Sequence, residues 1–223
     1  MRVALYYAPQ ATDKLARAAA TWLGRDPETR VSHGQPALPD IAAITRDPAH
    51  YGFHATLKPP MRLTPGTTWR TLRDAVAELA ETLPAFDLPR LAVADLHGFL
   101  ALRETTPSPE LQALADACVA GVDQLRAPLT ADELERRRRN GLPPVQDANL
   151  RRWGYHYVFA TWFFHMTLTR RLNADEQATY RPAAERYFAD AIAQPRRVTD
   201  IALFTQPNPD TAFTIAERIP LAP

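Results

Sequence analysis

The chain has 223 residues, 46% of them hydrophobic, and a formal net charge of +1 at pH 7. This length can bury a substantial core, and the near balance of charge excludes the long-range positive field that captures nucleic acid or acidic membranes. The single cysteine, Cys118, excludes an internal disulfide. The sequence has no apolar run of membrane-spanning length and no apolar core of a secretion signal near Met1. We therefore expect a cytoplasmic protein without membrane contact, whose partners depend on a local site.

The first half of the chain alternates between strand-like and helical patterns. Residues 2–8 alternate as a strand does, and residues 12–23 repeat apolar side chains at helical spacing. Residues 25–50 are polar, contain four prolines and predict mostly loop. The elements predicted after the loop and the first histidine motif are a helix at 68–83 and strands at 86–95 and 98–103.

In the second half, capping residues mark the starts of helices. Ser108 precedes a helix predicted over 109–125, Thr130 begins a capping-box sequence, and Asn173 precedes a helix predicted over 174–193. The remaining predicted strands are 158–169, 197–205 and 212–219.

The irregular alternation, without a glycine-rich phosphate loop, favours an α+β fold with antiparallel sheet over a doubly wound parallel one. Each half has an apolar strand containing a histidine, then a long helix, then two strands, which predicts two pseudo-equivalent lobes around a central cleft. Segment 127–157 interrupts this repeat and predicts an insertion. A lid over the cleft and a fixed packing segment are equally open. We expect one bilobal domain over residues 1–223.

Two short segments repeat one pattern of histidine and threonine. His54 and Thr56 lie in YGFHATLKPP, and His165 and Thr167 lie in WFFHMTLT. Residues i and i+2 of a strand point to the same face, and in both segments the large apolar residues occupy the opposite face. Each segment therefore presents an imidazole and a hydroxyl together. From this pattern alone, a hydrogen-bonded structural histidine in each strand remains an alternative.

The paired motifs resemble those of the two-histidine phosphoesterases, which include cyclic phosphodiesterases and RNA ligase-like proteins. More of the chain resembles a family of phosphonate-metabolism proteins found with carbon–phosphorus lyase genes. The segments that carry this resemblance are ALYYAP, WLGRD, FHATLKPP, RAPLTADELERRR, WGY and FHMTLTRRL. The resemblance covers most of the chain and implies a bilobal α+β fold in which each lobe supplies one motif strand to the cleft.

The resemblance also implies a catalytic quartet of His54, Thr56, His165 and Thr167. Histidine can act as acid or base near neutral pH, and threonine hydroxyls can donate hydrogen bonds to phosphoryl oxygens. The expected enzyme is a phosphoric diester hydrolase, a cyclic phosphodiesterase without metal or other cofactor. Its substrate would be a small ribose or nucleotide cyclic phosphate, with a link to phosphonate catabolism. The sequence leaves open which histidine is the base.

Four further residues are candidates for substrate binding. Tyr51 and Lys58 flank the first motif and are candidates to contact phosphate or sugar, with a surface role equally open. Tyr155 precedes the second motif and is a candidate to stack on a base or ribose, although packing at the strand entry is favoured. Phe163 lies on the cleft side by alternation, at a position where the resemblance implies an arginine.

The missing arginine predicts either weaker phosphate binding or a substitute cation. Lys58, Arg62 and Arg152 are the candidate substitutes. The run 136–139 contains four arginines and predicts a solvated helix face rather than an RNA contact.

Two other functions remain open: RNA-end processing, by 2′,3′-cyclic phosphate opening or 2′,5′ ligation, and non-catalytic binding of a phosphorylated ligand. The near-neutral charge disfavours RNA as a partner, because RNA binding usually needs a basic track. Intact copies of both motifs argue against the binding module. We therefore expect a small phosphorylated substrate as partner, and the sequence sets no oligomeric state.

Overall fold

The computed structural model describes residues 1–139 and 141–223. Its strands are β1 (Arg2–Tyr7), β2 (Ala55–Met61), β3 (Phe86–Leu88), β4 (Leu91–Leu96), β5 (Phe99–Glu104), β6 (Met166–Arg171), β7 (Arg196–Val198), β8 (Asp200–Gln206) and β9 (Thr214–Pro220). Seven of them form an antiparallel sheet in the order β4-β5-β6-β2-β1-β8-β9, and β3 pairs with β7. The predicted α+β class with antiparallel sheet is confirmed.

The helices surround this sheet, and their first residues are capped where the sequence predicts. They are α1 (Lys14–Leu23), α2 (Ile41–Tyr51), α3 (Trp69–Ala80), α4 (Pro109–Gly121), α5 (Ala131–Arg138), α6 (Pro144–Trp153) and α7 (Ala174–Ala193). The Ser108 hydroxyl accepts from the Leu111 amide, and Thr130 and Asn173 both complete capping boxes. Within the described residues, no helix combines the length and apolarity needed to cross a bilayer.

Helix α2 lies where the sequence predicted mostly loop, and α6 lies within the segment predicted as an insertion. In α2, Ile41, Ile44, Thr45 and Pro48 are buried on one face at helical spacing. The polar composition and the prolines of this region concealed that spacing, since Pro48 lacks the amide that an interior helix position normally donates. Helix α6 begins with a proline in its first turn and ends at Gly154 in the left-handed region.

Two predicted strands are shorter than expected. The predicted strand at 86–95 is divided at Pro89, which has no amide to donate, so that β3 and β4 pair with different partners. The second motif strand begins only at Met166, because a 3-10 turn occupies 159–161. His165 therefore lies one residue before β6, as His54 lies one residue before β2.

The strand order contains the predicted repeat. Outward from the middle of the sheet, β2 corresponds to β6, β1 to β5, and β8 to β4, while β9 extends one edge. Each motif strand is followed by a long helix (α3 or α7) and then by a short strand, and these two short strands pair with each other. Helices α5 and α6 occupy the segment predicted as an insertion.

The two faces of the sheet are buried differently. One face carries Leu5, Ala55 and Met166 into the main core beneath the helices. The other face carries a smaller cluster that includes Tyr6 and Phe204. The histidine motifs point to this second face, because their apolar neighbours alternate into the main core.

Lys58 does not share the face of Thr56. The two residues lie opposite consecutive residues of β1, so β2 contains a bulge between them that breaks the alternation. The Lys58 side chain is 1% exposed, and its Nζ donates to the Val119 carbonyl at 2.7 Å and pairs with Asp123 at 3.2 Å. The prediction that Lys58 faces the cleft and contacts the substrate is therefore wrong. Its charge instead ties β2 to the end of α4.

Replacing Asp123 and Lys58 one at a time tests the structural role of this buried ion pair. Asp123→Asn should lower the free energy of unfolding by about 3–5 kcal/mol, because it leaves the buried Lys58 charge without its partner. Lys58→Met should cost less than about 1.5 kcal/mol, because it fills the same volume without a charge. Asp123 would then keep its ion pairs with Arg126 and Arg152. Urea denaturation measures both changes, and a larger loss in Lys58→Met would contradict this account.

Candidate active site

Four motif side chains form a block around one paired position between β2 and β6. Ala55 lies opposite Met166 in the antiparallel register. One residue further on either side, the register sets Thr56 opposite His165 and His54 opposite Thr167. Opposite residues in such a pair have Cβ atoms about 4.5–5.5 Å apart. The quartet is therefore brought together on one face of the sheet, where all four side chains are partly buried.

Both imidazoles are held in the same way by a backbone carbonyl two residues upstream. His54 Nδ1 lies 2.8 Å from the Gly52 oxygen, and His165 Nδ1 lies 3.3 Å from the Phe163 oxygen. A carbonyl oxygen only accepts, so each Nδ1 carries the proton and each neutral ring keeps its Nε2 lone pair. The Thr56 hydroxyl lies 3.2 Å from His54 Nε2 and can donate to it. Each histidine thus offers Nε2 for proton transfer.

Gly52 is necessary for the position of His54. It ends α2 with a left-handed φ of 78°, and its amide donates to the Pro48 carbonyl at 3.0 Å. A Cβ at this position would lie 2.8 Å from Cβ of Pro27 and 3.2 Å from the Phe204 ring. Only glycine combines this backbone conformation with this space, and the resulting turn aims its carbonyl at His54.

An aromatic ring covers one face of each imidazole. Tyr6 stacks on His54 with centroids 3.6 Å apart and planes within 10°. Phe163 stacks on His165 with centroids 4.8 Å apart and an angle of 27°. These rings fix the orientation of the imidazoles and exclude water from one side. Tyr6 was not among the predicted site residues, although the alternation of β1 puts it on the face of the motifs.

Burial makes both histidines weak bases in the unliganded protein. It lowers the pKa of His54 to about 3, with the Gly52 hydrogen bond opposing the shift and His165 adding to it. Burial also lowers the pKa of His165, where the Phe163 carbonyl opposes the shift and Arg103 adds to it. Both rings are therefore neutral at pH 7. A bound anion would favour protonation of either.

Arg103 supplies a cation beside the second motif. The β5–β6 register pairs Leu102 with Met166, so its continuation sets Arg103 opposite His165. The Arg103 guanidinium lies 5.7 Å from the centre of the Phe163 ring. Among the described residues, no hydrogen-bond partner reaches its buried Nε. Arg103 could not be predicted as part of the site, because its place depends on strand register, which the sequence does not show.

The other two candidate cations, Arg62 and Arg152, form ion pairs away from the motif residues. Arg62 pairs with Glu133 at 2.8 Å, and Arg152 pairs with Asp123 at 3.0 Å while lying over a tryptophan ring. Arg103 is therefore the cation that lies beside Phe163, and neither of these two takes that place.

The predicted tyrosines differ in their relation to the quartet. Tyr155 contacts Tyr157, with centroids 5.9 Å apart, and Tyr157 contacts Phe163 edge-on at 5.3 Å. A continuous aromatic path thus runs from Tyr155 to the second motif. Tyr51 ends α2, is 44% exposed and packs edge-on against His50. The structure brings Tyr155 toward the site, whereas the ring contact of Tyr51 is to His50 and not to a motif histidine.

The fold and this site define an antiparallel α+β protein with a symmetric two-histidine centre. Residues 56–214 match the family described as "Protein of unknown function (DUF1045)". The chain belongs to this family. Together with the relatives below, this match confirms the family relationship predicted from the sequence.

Curated relatives match nearly the whole chain. "Ribose 1,5-bisphosphate phosphokinase PhnN" of Janthinobacterium sp. (strain Marseille) is 39% identical over 99% of this chain and 51% of that protein. The protein of the same name from Laribacter hongkongensis (strain HLHK9) is 33% identical over 98% of this chain and 52% of its own length. The chain thus spans about half the length of these curated relatives.

Solved structures also align with the full chain. They include "Crystal structure of E.coli LigT complexed with 3'-AMP", with a TM-score of 0.47 and 15% identity over 100% of this chain and 98% of that chain. "Crystal structure of phosphoesterase" aligns with a TM-score of 0.44 and 13% identity over 100% and 99% of the two chains.

Proposed function

We propose that the protein is a cyclic phosphodiesterase that works by acid–base catalysis between His54 and His165, without a metal ion. The observation that carries this proposal is the matched quartet on one face of the sheet. Each half contributes a neutral imidazole with Nε2 available and a threonine hydroxyl beside it. A structural histidine in each strand would not need this symmetry.

The quartet fits the hydrolysis of a cyclic phosphodiester. One histidine takes a proton from water as the water oxygen bonds to phosphorus. The other histidine gives a proton to the sugar oxygen as its bond to phosphorus breaks, which leaves a phosphate monoester and a free hydroxyl. Thr56 and Thr167 donate hydrogen bonds to the non-bridging oxygens. Each histidine would contribute roughly 10²–10⁴-fold to the rate.

The electrostatics favour His54 as the base. Burial holds the pKa of His54 at about 3, so this ring enters the reaction neutral. His165 is also buried, and the pKa of its ring is lowered in the same direction. We assign the proton to His165, because the anionic phosphodiester that binds beside Arg103 raises its pKa again.

Arg103 is the proposed cation for the phosphate. Its guanidinium reaches over Phe163, at the position where the family resemblance implies an arginine. A partly buried guanidinium without an acceptor on Nε is costly in the free protein and would gain a charge-assisted hydrogen bond from a phosphate oxygen. Arg103 would thus replace the missing arginine from a neighbouring strand.

The proposed substrate is a small ribose or nucleotide cyclic phosphate. The name of the curated relatives, with its ribose bisphosphate, supports a pentose phosphate for this chain as well. We also retain the link to phosphonate catabolism that the family resemblance implies.

Asparagine variants of the two histidines test the mechanism directly. His54→Asn and His165→Asn should each lower kcat by roughly 10²–10⁴-fold, because each removes one proton-transfer group. The assay uses EDTA-treated protein with nucleoside 2′,3′-cyclic phosphates and ribose 1,2-cyclic phosphate. His97→Asn is the matched control, since His97 is exposed and its left-handed backbone suits asparagine.

Full turnover by either active-site variant would contradict the mechanism, and loss of activity with EDTA would contradict the absence of metal. If wild type binds nucleotides but hydrolyses no cyclic phosphate, the binding module is the correct function.

Substitution of Arg103 should weaken substrate binding more than it slows the chemistry. Arg103→Gln should raise KM by roughly 10- to 100-fold, because it removes a charge-assisted contact to phosphate. Phe163→Arg in the same protein should recover most of this loss, since it returns a guanidinium to that place. Arg90→Gln, at an exposed position, is the control. An unchanged KM in Arg103→Gln would remove Arg103 from the site.

The pH dependence follows from the two lowered pKa values. In the free enzyme, one histidine is protonated and the other neutral mainly between their two pKa values, which lie below the ordinary 6.5. We therefore expect a bell-shaped kcat/KM profile with its maximum on the acid side of pH 6.5 and a decline as the pH rises further. The alkaline limb of kcat should lie higher, because bound phosphate favours the imidazolium. A kcat/KM optimum above about pH 8 would contradict this pairing.

A further inference from the structure

Four arginines cluster at the end of β1 and β2 that is remote from the histidines. Arg2 begins β1, Arg62 follows β2, and Arg136 and Arg137 lie in the last turn of α5. All four line a small cavity of about 40 Å³, and Arg2, Arg62 and Arg136 also line an adjoining cavity of about 450 Å³. We call this surface the arginine groove. Among the described residues, Glu133 is the only carboxylate that lines either cavity, so the groove is strongly positive.

The positive charge of the groove is incompletely balanced. Glu133 pairs with Arg62 at 2.8 Å, and Arg2 donates to the neutral side-chain oxygen of Gln206. Arg126 also lines the smaller cavity and pairs with Asp123 at 2.8 Å. The groove arginines therefore carry a surplus of positive charge. Their guanidinium groups repel one another, and a bound anion would relieve this repulsion.

Among the groove arginines, Arg137 has the surroundings that most favour an anionic ligand. Its guanidinium lies 5.7 Å from the centre of the Tyr155 ring and is partly withdrawn from water. Burial lowers the pKa of Arg137; Tyr155 and Glu133 oppose this shift, while Arg136 and Arg2 add to it. In the part of the chain that the structure describes, no acceptor hydrogen-bonds to this guanidinium. A partly buried guanidinium would gain a charge-assisted contact from an anionic ligand and would lose less hydration than a fully exposed one.

The groove is continuous with the candidate active site. Burial raises the pKa of Tyr6, the neighbouring Tyr155 adds to this shift, and Tyr6 stacks on His54. Arg2 and Tyr6 lie on one face of β1, four residues apart, which is about 13 Å along a strand. A ligand that reaches both places must therefore extend well beyond a single phosphodiester ring.

We propose that the arginine groove binds a second phosphate of the substrate, remote from the cyclic phosphodiester. The chemical class is a ribose cyclic phosphate whose 5′ end carries a phosphate or diphosphate. This inference rests on the proposed function and narrows its substrate. Arg137 and Arg2 take the terminal phosphate, while the quartet and Arg103 take the cyclic one.

The test compares adenosine 2′,3′-cyclic phosphate with and without a 5′-diphosphate. Wild type should show a kcat/KM at least tenfold higher for the 5′-diphosphate form. Arg137→Gln should lower kcat/KM for that form roughly 10- to 100-fold, mostly through KM, and should leave the other substrate nearly unchanged. Arg139→Gln is the matched control, because Arg139 is exposed and lines neither cavity.

Equal kcat/KM values for the two substrates, or equal losses for both in Arg137→Gln, would overturn the proposal. A dinucleotide cyclic phosphate preferred over the 5′-diphosphate, with the preference lost in Arg137→Gln, would assign the groove to RNA and also overturn it.

Calorimetric binding separates this proposal from the proposed function. Adenosine 5′-diphosphate 3′-phosphate should bind wild type at least tenfold more tightly than adenosine 3′-phosphate, and Arg137→Gln should abolish the difference. If the difference is present but no cyclic phosphate is hydrolysed, the groove stands and the proposed chemistry fails. If hydrolysis occurs without any such difference, the groove proposal fails alone.

Discussion

The pairing of Ala55 with Met166 is the constraint on which the site depends. It is the register pair that joins β2 to β6 at the centre of the sheet. Because both side chains point into the main core, each flanking histidine and threonine must point the other way. The Trp162 indole donates to the Thr56 carbonyl at 2.8 Å and adds a second link across this junction. A one-residue slip here would turn the quartet into the core.

Around the quartet, aromatic rings surround the imidazoles, and separate guanidinium groups supply the positive charge. Aromatic rings against both imidazoles exclude water and keep the histidines neutral, which prepares Nε2 to accept a proton. The same apolar surroundings cannot attract a phosphate. Under the proposed function, that attraction comes from guanidinium groups that approach over rings, Arg103 over Phe163 and Arg137 over Tyr155.

Local signals predicted the parts of the fold that local chemistry determines. Asn173 has an oxygen for the Glu176 amide, and the sequence located both ends of this helix correctly. The bulge that turns Lys58 inward could not be predicted, because it depends on pairing with β1. The same limit applies to Arg103, whose neighbour in space is distant in sequence. The common face of the four motif residues was predicted correctly, because alternation along a strand is a local property.

The two halves of the sheet correspond closely, but their charges do not. The position that Arg103 occupies opposite His165 corresponds, in the first half, to buried Ala8 opposite His54. The strand beside His54 thus supplies no cation at this position. A symmetric site would bind a phosphodiester in either direction. Under the proposed function, with Arg103 on one side and the arginine groove on the other, a substrate with two unlike phosphates would have one favourable orientation, so the same histidine would meet the leaving oxygen in every turnover.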